Sequence, residues 1–320
     1  MRVVIAGASG FIGRYLASAF IGEGATVETI GRAGADAAWR DTRAITALVD
    51  GADLVMNLAG KSVNCRYTPE NRAEILRSRL ETTAELARAI AASAEPTPLW
   101  INSSTATIYR DARAEPMTER SGQLGAGFSV EVAKAWEAAL FEPDLPTTRR
   151  VALRMAIVLG DGSALRPLIR LARLGLGGPQ RDGVWLAAPG TRAAGTFHEP
   201  KAGDGGQMFS WVHQRDVLGV IRFIQATPAL EGPVNVSAPG ALTNAAFMAR
   251  LRDVLGRPFG FAAHRWMLEV GALVLGTETE LVLKSRWVAP QKLVEAGYVF
   301  DYPELTAALR EVVATRRADR

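Results

Sequence analysis

The chain of 320 residues is poor in the residues that staple or metallate a small fold. It has one cysteine, Cys65, which excludes an internal disulfide framework and a Cys-based zinc site. Its three histidines, His198, His213 and His264, show no metal-ligand spacing, so no metal is expected. No apolar run approaches the ~20 residues of a membrane helix. The opening residues read as a strand and a turn, not as a signal peptide. A reducing cytoplasm is therefore the expected compartment. Lysine is scarce too: only five of the 37 basic residues are Lys, at 61, 134, 201, 284 and 292. The arginines, the tail pair Arg316-Arg317 included, are scattered among acids, and the formal charge is only +4 despite a pI near 9.4. Nucleic-acid binding needs cations clustered on one face. Neither a nucleic acid nor a membrane is expected as a partner. A Walker loop and a Gly-x-Ser-x-Gly elbow are also absent.

What is present is ordinary for a globular chain: 48% hydrophobic and 22% charged residues. At roughly 150 residues per domain the length allows one large or two modest domains. The first half alternates short apolar strands with amphipathic helices, the pattern of βαβ units and a parallel sheet. Strands are expected at 2–6, 26–30, 54–58 and 99–103, and helices at 11–21, 69–92 and 129–140. Residues 150–159 read as one near-continuous apolar strand, as happens when both faces are covered. The second half is less regular: a helix at 165–176, a Gly-, Pro- and Ala-rich stretch at 180–206, a strand at 208–213, a helix at 217–226, a strand at 232–236, then mostly helix. Residues 184–187 and 195–198 are candidates for a hairpin.

The sharpest motif is Gly7-Ala8-Ser9-Gly10-Phe11-Ile12-Gly13, directly after the first strand and opening a helix. Gly7 permits the tight turn, Gly10 lets the backbone approach a pyrophosphate, and Gly13 lets helix and strand pack closely. The free amides and the positive helix end then hold phosphate. An NAD site places an acid at the end of the second strand; here that strand ends Gly31-Arg32, and an arginine fork suits a 2′-phosphate. NADP(H) is expected over NAD(H).

The spacing Gly-x-x-Gly-x-x-Gly resembles that of the extended short-chain dehydrogenase/reductases. Further segments carry the resemblance: Asn57-Leu58-Ala59-Gly60, Ser103-Ser104-Thr105-Ala106-Thr107-Ile108-Tyr109, Ser210-Trp211-Val212-His213 with Asp216, and Gly232-Pro233-Val234-Asn235-Val236. Ser78-Arg79-Leu80-Glu81-Thr82-Thr83, Trp136-Glu137, Gly175-Leu176-Gly177-Gly178, Val288-Ala289-Pro290-Gln291-Lys292-Leu293 and Ala296-Gly297-Tyr298 are similar to features of its atypical, epimerase-family (sugar-nucleotide epimerase-like) members. Those members end in a short C-terminal domain of unknown function, here about 259–310. The resemblance implies a doubly wound Rossmann sheet formed by 1–160 plus 207–237, with 208–213 and 232–236 returning to it. A smaller discontinuous cap comprises 161–206 and 238–320. It also implies a cofactor turn at Leu58-Ala59-Gly60, a catalytic hydroxyl at Thr105, and Glu74 and Arg79 near the cofactor.

The wider superfamily uses Tyr and Lys four apart on one helix face, the Lys lowering the Tyr pKa. Lys134 occupies the Lys place, but Val130 stands where the Tyr belongs. Tyr109 offers a phenol nearby, with a wall or packing role as the alternative. His213 reads as a hydrogen-bonded structural histidine and Asp216 as an N-cap. Two function classes stay open. One is an NADP-dependent oxidoreductase or epimerase-like enzyme for a small carbonyl or hydroxyl substrate. The other is an NADPH-binding protein without turnover. Either would act as a monomer or homodimer. The stretch 180–206 is expected to form a hairpin or lid beside the crevice, or a surface insertion away from it.

Overall fold

A computed structural model describes residues 1–160, 162, 165–186, 189–200 and 203–318. β1 (Arg2–Ala6) is buried from Val3 onward because it lies inside a sheet whose two faces are covered by helices. Side chains alternate across a strand, so Val3 and Ile5 enter one core while Val4 and Ala6 enter another. The first core is filled by Leu16 and Phe20 of α1 (Phe11–Gly22) and by Val217, Val220 and Ile224 of α7 (Gln214–Ala226). The second takes Ile45 and Val49 of α2 (Thr42–Val49), Leu86 and Ile90 of α3 (Pro69–Ala91), and Leu140 of α4 (Phe128–Phe141). Pro69 opens α3 at a position where its missing N–H costs nothing, and Thr68 caps the helix by accepting from Asn71 N at 3.2 Å.

The other strands are β2 (Thr26–Gly31), β3 (Ala37–Ala38), β4 (Leu54–Asn57), β5 (Leu99–Thr105), β6 (Arg149–Met155), β7 (Ile157–Leu159), β8 (Met208–Phe209), β9 (Trp211–His213), β10 (Gly232–Val236) and β11 (Leu242–Thr243). Seven of the strands form one sheet in the order β10-β6-β5-β4-β1-β2-β3, every pair parallel. This is the doubly wound α/β sheet expected. The chain turns outward in opposite directions from β1 and β4, so the crevice beyond their carboxyl ends is where a ligand belongs.

Apart from α7 and β10, the second half packs largely as a separate helical cluster. α5 (Leu165–Arg173), α8 (Asn244–Leu255) and α12 (Leu305–Ala318) share a core of Ile169, Trp211, Phe247, Leu251 and Leu309. α6 (Pro189–Ala193), α9 (Arg265–Leu275), α10 (Glu280–Leu283) and α11 (Gln291–Glu295) complete the described helices.

Four expectations need correction. The apolar run 150–159 is two strands, because the chain leaves the main sheet at Ala156: Ala156 N donates to Val236 O, and the next amide, Ile157 N, donates to Ser210 O. The strand expected at 208–213 also divides, β8 pairing antiparallel with β11 and β9 parallel with β7, so of the two returning strands β10 alone enters the main sheet. The expected hairpin does not form among the described residues: 181–186 are irregular and α6 intervenes, while Ala187 lies outside the described residues. Asp216 is not the cap of α7, a place taken by His213, which accepts from Arg215 N. Asp216 instead accepts from Asp301 N and Tyr302 N, at 2.7 and 3.1 Å, and so ties α7 to the C-terminal segment.

Candidate functional site

The glycine turn is set by two close approaches. Gly7 has φ +84°, and a Cβ there would lie 2.8 Å from Ala59 N and Leu58 C; a Cβ on Gly13 would lie 2.4 Å from Gly7 O. No L side chain fits either place. Gly10 starts α1 with no side-chain cap, so the positive helix end and the turn at Ser9, Gly10, Phe11 and Ile12 are left for an anion. The Phe11 ring packs under the next loop, where a Cβ on Gly162 would stand 3.1 Å from it. These residues fit a dinucleotide.

At the end of β2, Gly31 packs on Ala35 and Arg32 is exposed, without an ion pair among the described residues. The nearby acid, Asp36, is turned back onto the strand, accepting from Thr29 N and Thr29 Oγ1 at 2.8 Å each. Those bonds hold its carboxyl below the usual carboxylate range. Arg32 is thus the charge presented at the strand tip.

The turn after β4 is fixed by a buried polar network. Asn57 Nδ2 donates to Asn102 Oδ1 (2.8 Å) and Thr83 Oγ1 (3.1 Å), Asn57 Oδ1 accepts from Ala59 N (3.1 Å), and Trp136 Nε1 donates to Thr83 Oγ1 (3.1 Å). Asn57 therefore locks Leu58, Ala59 and Gly60 against β1, while Trp136 ties α4 to α3. A cavity of about 210 Å³ opens between this turn, the end of β5 at Ser103, Ser104 and Thr105, and helices α3 and α4. Ile75 and Arg79 enter it from α3, Ser129, Val132, Ala133 and Trp136 from α4, and Tyr67 and Leu281 complete the wall. A larger cavity, about 680 Å³, lies at the opposite, amino-terminal edge of β6 and β10. Its arginines are committed to helix ends, Arg149 to Ile224 O and Leu230 O and Arg150 to Leu140 O and Pro143 O.

The expected catalytic residues separate. Thr105 lines the cavity; its Oγ1 accepts from Thr107 N at 3.1 Å, which leaves its own proton to donate. Lys134 does not line it, donating instead to Gly125 O (3.2 Å) and Glu131 (2.9 Å), and Val130 is fully buried on a different stripe of α4. Tyr109 is turned into the core: its hydroxyl donates to Asn235 Oδ1 at 2.9 Å and accepts from Arg154 Nη1 at 2.8 Å. Arg154 pairs in turn with Glu137, which accepts from Ser104 Oγ at 2.6 Å. Glu74 is paired with Arg77 on the helix surface and is absent from the cavity, whereas Arg79 lines it.

Sequence reasoning missed the residues that the segment 278–284 brings. Glu278 accepts from Tyr67 N (2.7 Å) and pairs with Arg66 (3.1 Å), Glu280 accepts from Ser129 Oγ (2.9 Å), and Lys284 Nζ donates to Thr107 O (2.7 Å). The Tyr67 hydroxyl is buried with no hydrogen-bond partner among the described residues, though Ser129 stands beside it. Burial pushes this phenol up to about 12. The stretch after 180 also reaches the site, because Gly195 O accepts from Phe128 N (2.9 Å) at the start of α4. It is pinned by Asp182, which bonds His198 Nε2 (2.9 Å) and Arg265 Nη1 (2.8 Å). Tyr67 carried a signal only as an aromatic just before an N-cap; nothing in the sequence marked its partners.

Fold, glycine turn and cavity together define a nucleotide-binding protein of the short-chain dehydrogenase/reductase type. Residues 3–127 match the NAD dependent epimerase/dehydratase family, and residues 265–312 match a domain of unknown function (DUF1731). The chain belongs to the epimerase family that includes SDR39U1. The bovine (Bos taurus) epimerase family protein SDR39U1 is 33% identical over 322 residues, spanning 98% of this chain and 100% of the relative. The epimerase family protein YfhF of Bacillus subtilis is 27% identical over 326 residues, 99% of each chain. The crystal structure of human SDR39U1 (isoform2) with NADPH superposes with a TM-score of 0.83 at 28% identity, covering 98% of this chain and 99% of that one.

Proposed function

We propose that the protein binds NADP(H) in preference to NAD(H). It acts as an oxidoreductase or epimerase-like enzyme on a small carbonyl or hydroxyl compound. The observation that carries this reading is a cavity beside the glycine turn whose wall includes Thr105, a hydroxyl with a proton that no described residue accepts. NADPH, when bound, supplies a hydride. The turn 7–13 and α1 hold its diphosphate, and Arg32 takes the 2′-phosphate. Thr105 donates to the substrate oxygen. The proton that joins that oxygen as the carbon is reduced comes from solvent through the Thr105 hydroxyl, which keeps its own proton count. The partners on this reading are the cofactor and a small molecule, in a cytoplasmic monomer or homodimer, with no nucleic acid and no membrane.

NADPH oxidation in the presence of a panel of small carbonyl compounds tests the proposal. At least one should turn over, and Thr105→Val should lose roughly 10²–10⁴-fold in rate with NADPH affinity unchanged. The second reading, an NADPH-binding regulatory or sensor protein without turnover, is favoured by one feature. The cavity face of α4 carries Ser129, Val132 and Ala133, with no Tyr–Lys pair. Tight NADPH binding with no turnover across the panel would establish that reading instead.

A further inference from the structure

α9 is turned inside out. Its two charged side chains face the fold: Arg265 is 3% exposed and donates to Asp182 (2.8 Å) and Glu269 (2.7 Å), while Glu269 is 17% exposed and also accepts from Thr279 Oγ1 (3.1 Å). The opposite stripe turns apolar side chains to water at the i, i+4, i+7 and i+8 spacing of one helix face. Trp266 is 59% exposed, Val270 52%, Leu273 69% and Val274 79%. A surface helix of a globular protein normally does the reverse. The stripe belongs to a broader surface, because segments 175–181 and 261–263 run side by side. Phe261 N donates to Gly175 O (2.8 Å), Ala263 N to Pro179 O (3.0 Å) and Arg181 N to Ala263 O (2.8 Å). At one end of this ladder stand the exposed Leu174, Leu176, Phe259 and Phe261, the two phenyl rings edge to face at 5.9 Å. At the other, a Cβ on Gly183 would lie 3.6 Å from Arg265 Cβ, which brings the exposed Val184 and Leu186 to the start of α9. Of the 19 large apolar side chains exposed among the described residues, 13 fall in 171–186 and 259–275, so this is a patch and not the single scatter of an ordinary surface.

We propose that this surface is the interface of a homodimer, in which the outward stripe of α9 packs across a two-fold axis against the same stripe of a second copy. Size is the first argument. At these exposures the patch presents roughly 1,000 Å² of apolar side chain, beyond the about 300–600 Å² usual for a monomer and enough for the ~800 Å² that each partner buries in a stable pair. Composition is the second. From 266 to 275 the one ionisable residue is Glu269, which points inward, and the face is rich in aromatics; homodimer cores are apolar and depleted of charge in the same way. A two-fold contact sets a surface against itself, and an uncharged stripe meets its copy without like-charge repulsion. The outward side of α3, by contrast, is ionic, Arg77 pairing with Glu74 and Glu81. The third argument separates protein from lipid. A helix lying on a membrane keeps a Lys- and Arg-rich polar face among the headgroups, whereas the polar face of α9 is sealed against Asp182. α9 runs on into the segment that gives Glu278 to Tyr67 N and Glu280 to Ser129, so pairing steadies one wall of the cavity. The inference is independent of the reaction proposed above.

Sedimentation equilibrium of the full chain at micromolar concentration tests the proposal. The wild type should have twice the 34.3 kDa mass of one chain. The double variant Val270→Glu, Val274→Glu should weaken pairing by about a hundredfold or more, since carboxylates from both copies then crowd one interface. Both side chains are exposed in the single chain, so the variant should fold, and melting curves check that it does. Hydrogen exchange of the wild type needs no variant: amides of 266–275 should exchange faster as dilution separates the copies. A wild type that stays a single chain overturns the proposal. So does a pair that survives both glutamates with exchange in 266–275 insensitive to dilution, because another face then holds it. Single chains that pellet with phosphatidylserine vesicles, and cease to do so in the double variant, would assign the surface to lipid instead.

Discussion

On α4 one residue of register separates two environments. Ser129, Val132, Ala133 and Trp136 face the cavity, while Val130 is fully buried and Lys134 reaches back to Gly125. Placing a tyrosine at 130 therefore does not rebuild a Tyr–Lys pair at the site. Val130→Tyr should cost about 1–3 kcal/mol through overpacking, read by chemical denaturation, and should not raise carbonyl reduction. A gain in activity with stability intact would mean that α4 presents a different face. Arg32→Ala should weaken NADPH by about one to two decades and leave NADH unchanged, because only the former loses a charge-assisted bond. Equal affinities of the wild type for both cofactors would refute the role of Arg32. At this scale the glycine turn was legible because its geometry is encoded in seven contiguous residues. Thr105 was singled out through the resemblance of the segment 103–109, and the cavity does include it. The helix face was not, because Lys134 fits a spacing rule whose zero point depends on where α4 starts.

At the scale of elements, the strands of the parallel sheet were readable from apolar runs, since strands buried on both faces show little else. The break at Ala156 was invisible because residues on both sides of it are apolar and only hydrogen-bond direction changes there. α2 and β3 went unread because they are short and lie in an Ala- and Gly-rich stretch with few large side chains. The stretch after 180 is held by a buried Asp182, shared by His198 and Arg265. Asp182→Ala leaves Arg265 buried with one fewer counter-charge, Glu269 remaining at 2.7 Å. A loss of about 3–5 kcal/mol is expected from breaking such a pair, checked by urea denaturation. Because Gly195 O caps the cavity end of α4, amides near 194–199 should exchange more slowly when NADPH is present. Exchange that ignores the cofactor would make this stretch a surface insertion.

Over the whole molecule, β9, α7 and α12 meet at His213, which is fully buried with Nε2 2.9 Å from Glu311 and its ring 4.1 Å from that of Tyr302. Burial lowers the His213 pKa below the ordinary histidine range and outweighs the opposing pull of Glu311; Arg215 lowers it further and Asp301 raises it. The unfolded chain then takes up a proton that the folded chain refuses. This contribution to stability is complete above the ordinary histidine pKa and is lost as pH falls through it toward the lower folded value. Denaturation across that window should show stability falling with acid, and His213→Gln should flatten the slope. A slope unchanged in the variant would assign it to other groups.

The hydrogen bonds that roof the cavity join residues far apart in the chain: 211 positions from Tyr67 to Glu278, 177 from Thr107 to Lys284, 151 from Ser129 to Glu280. On a ribosome the chain emerges from its first residue, and domains form as their parts appear. Six of the seven strands of the main sheet, with the glycine turn, precede residue 156, whereas the roof leaves the exit tunnel much later. A nascent chain thus acquires its nucleotide crevice while the neighbouring cavity is still open to water. Translation itself orders the two, and a polypeptide stalled short of its last helices would have a place for a cofactor and nothing enclosed for that cofactor to act upon.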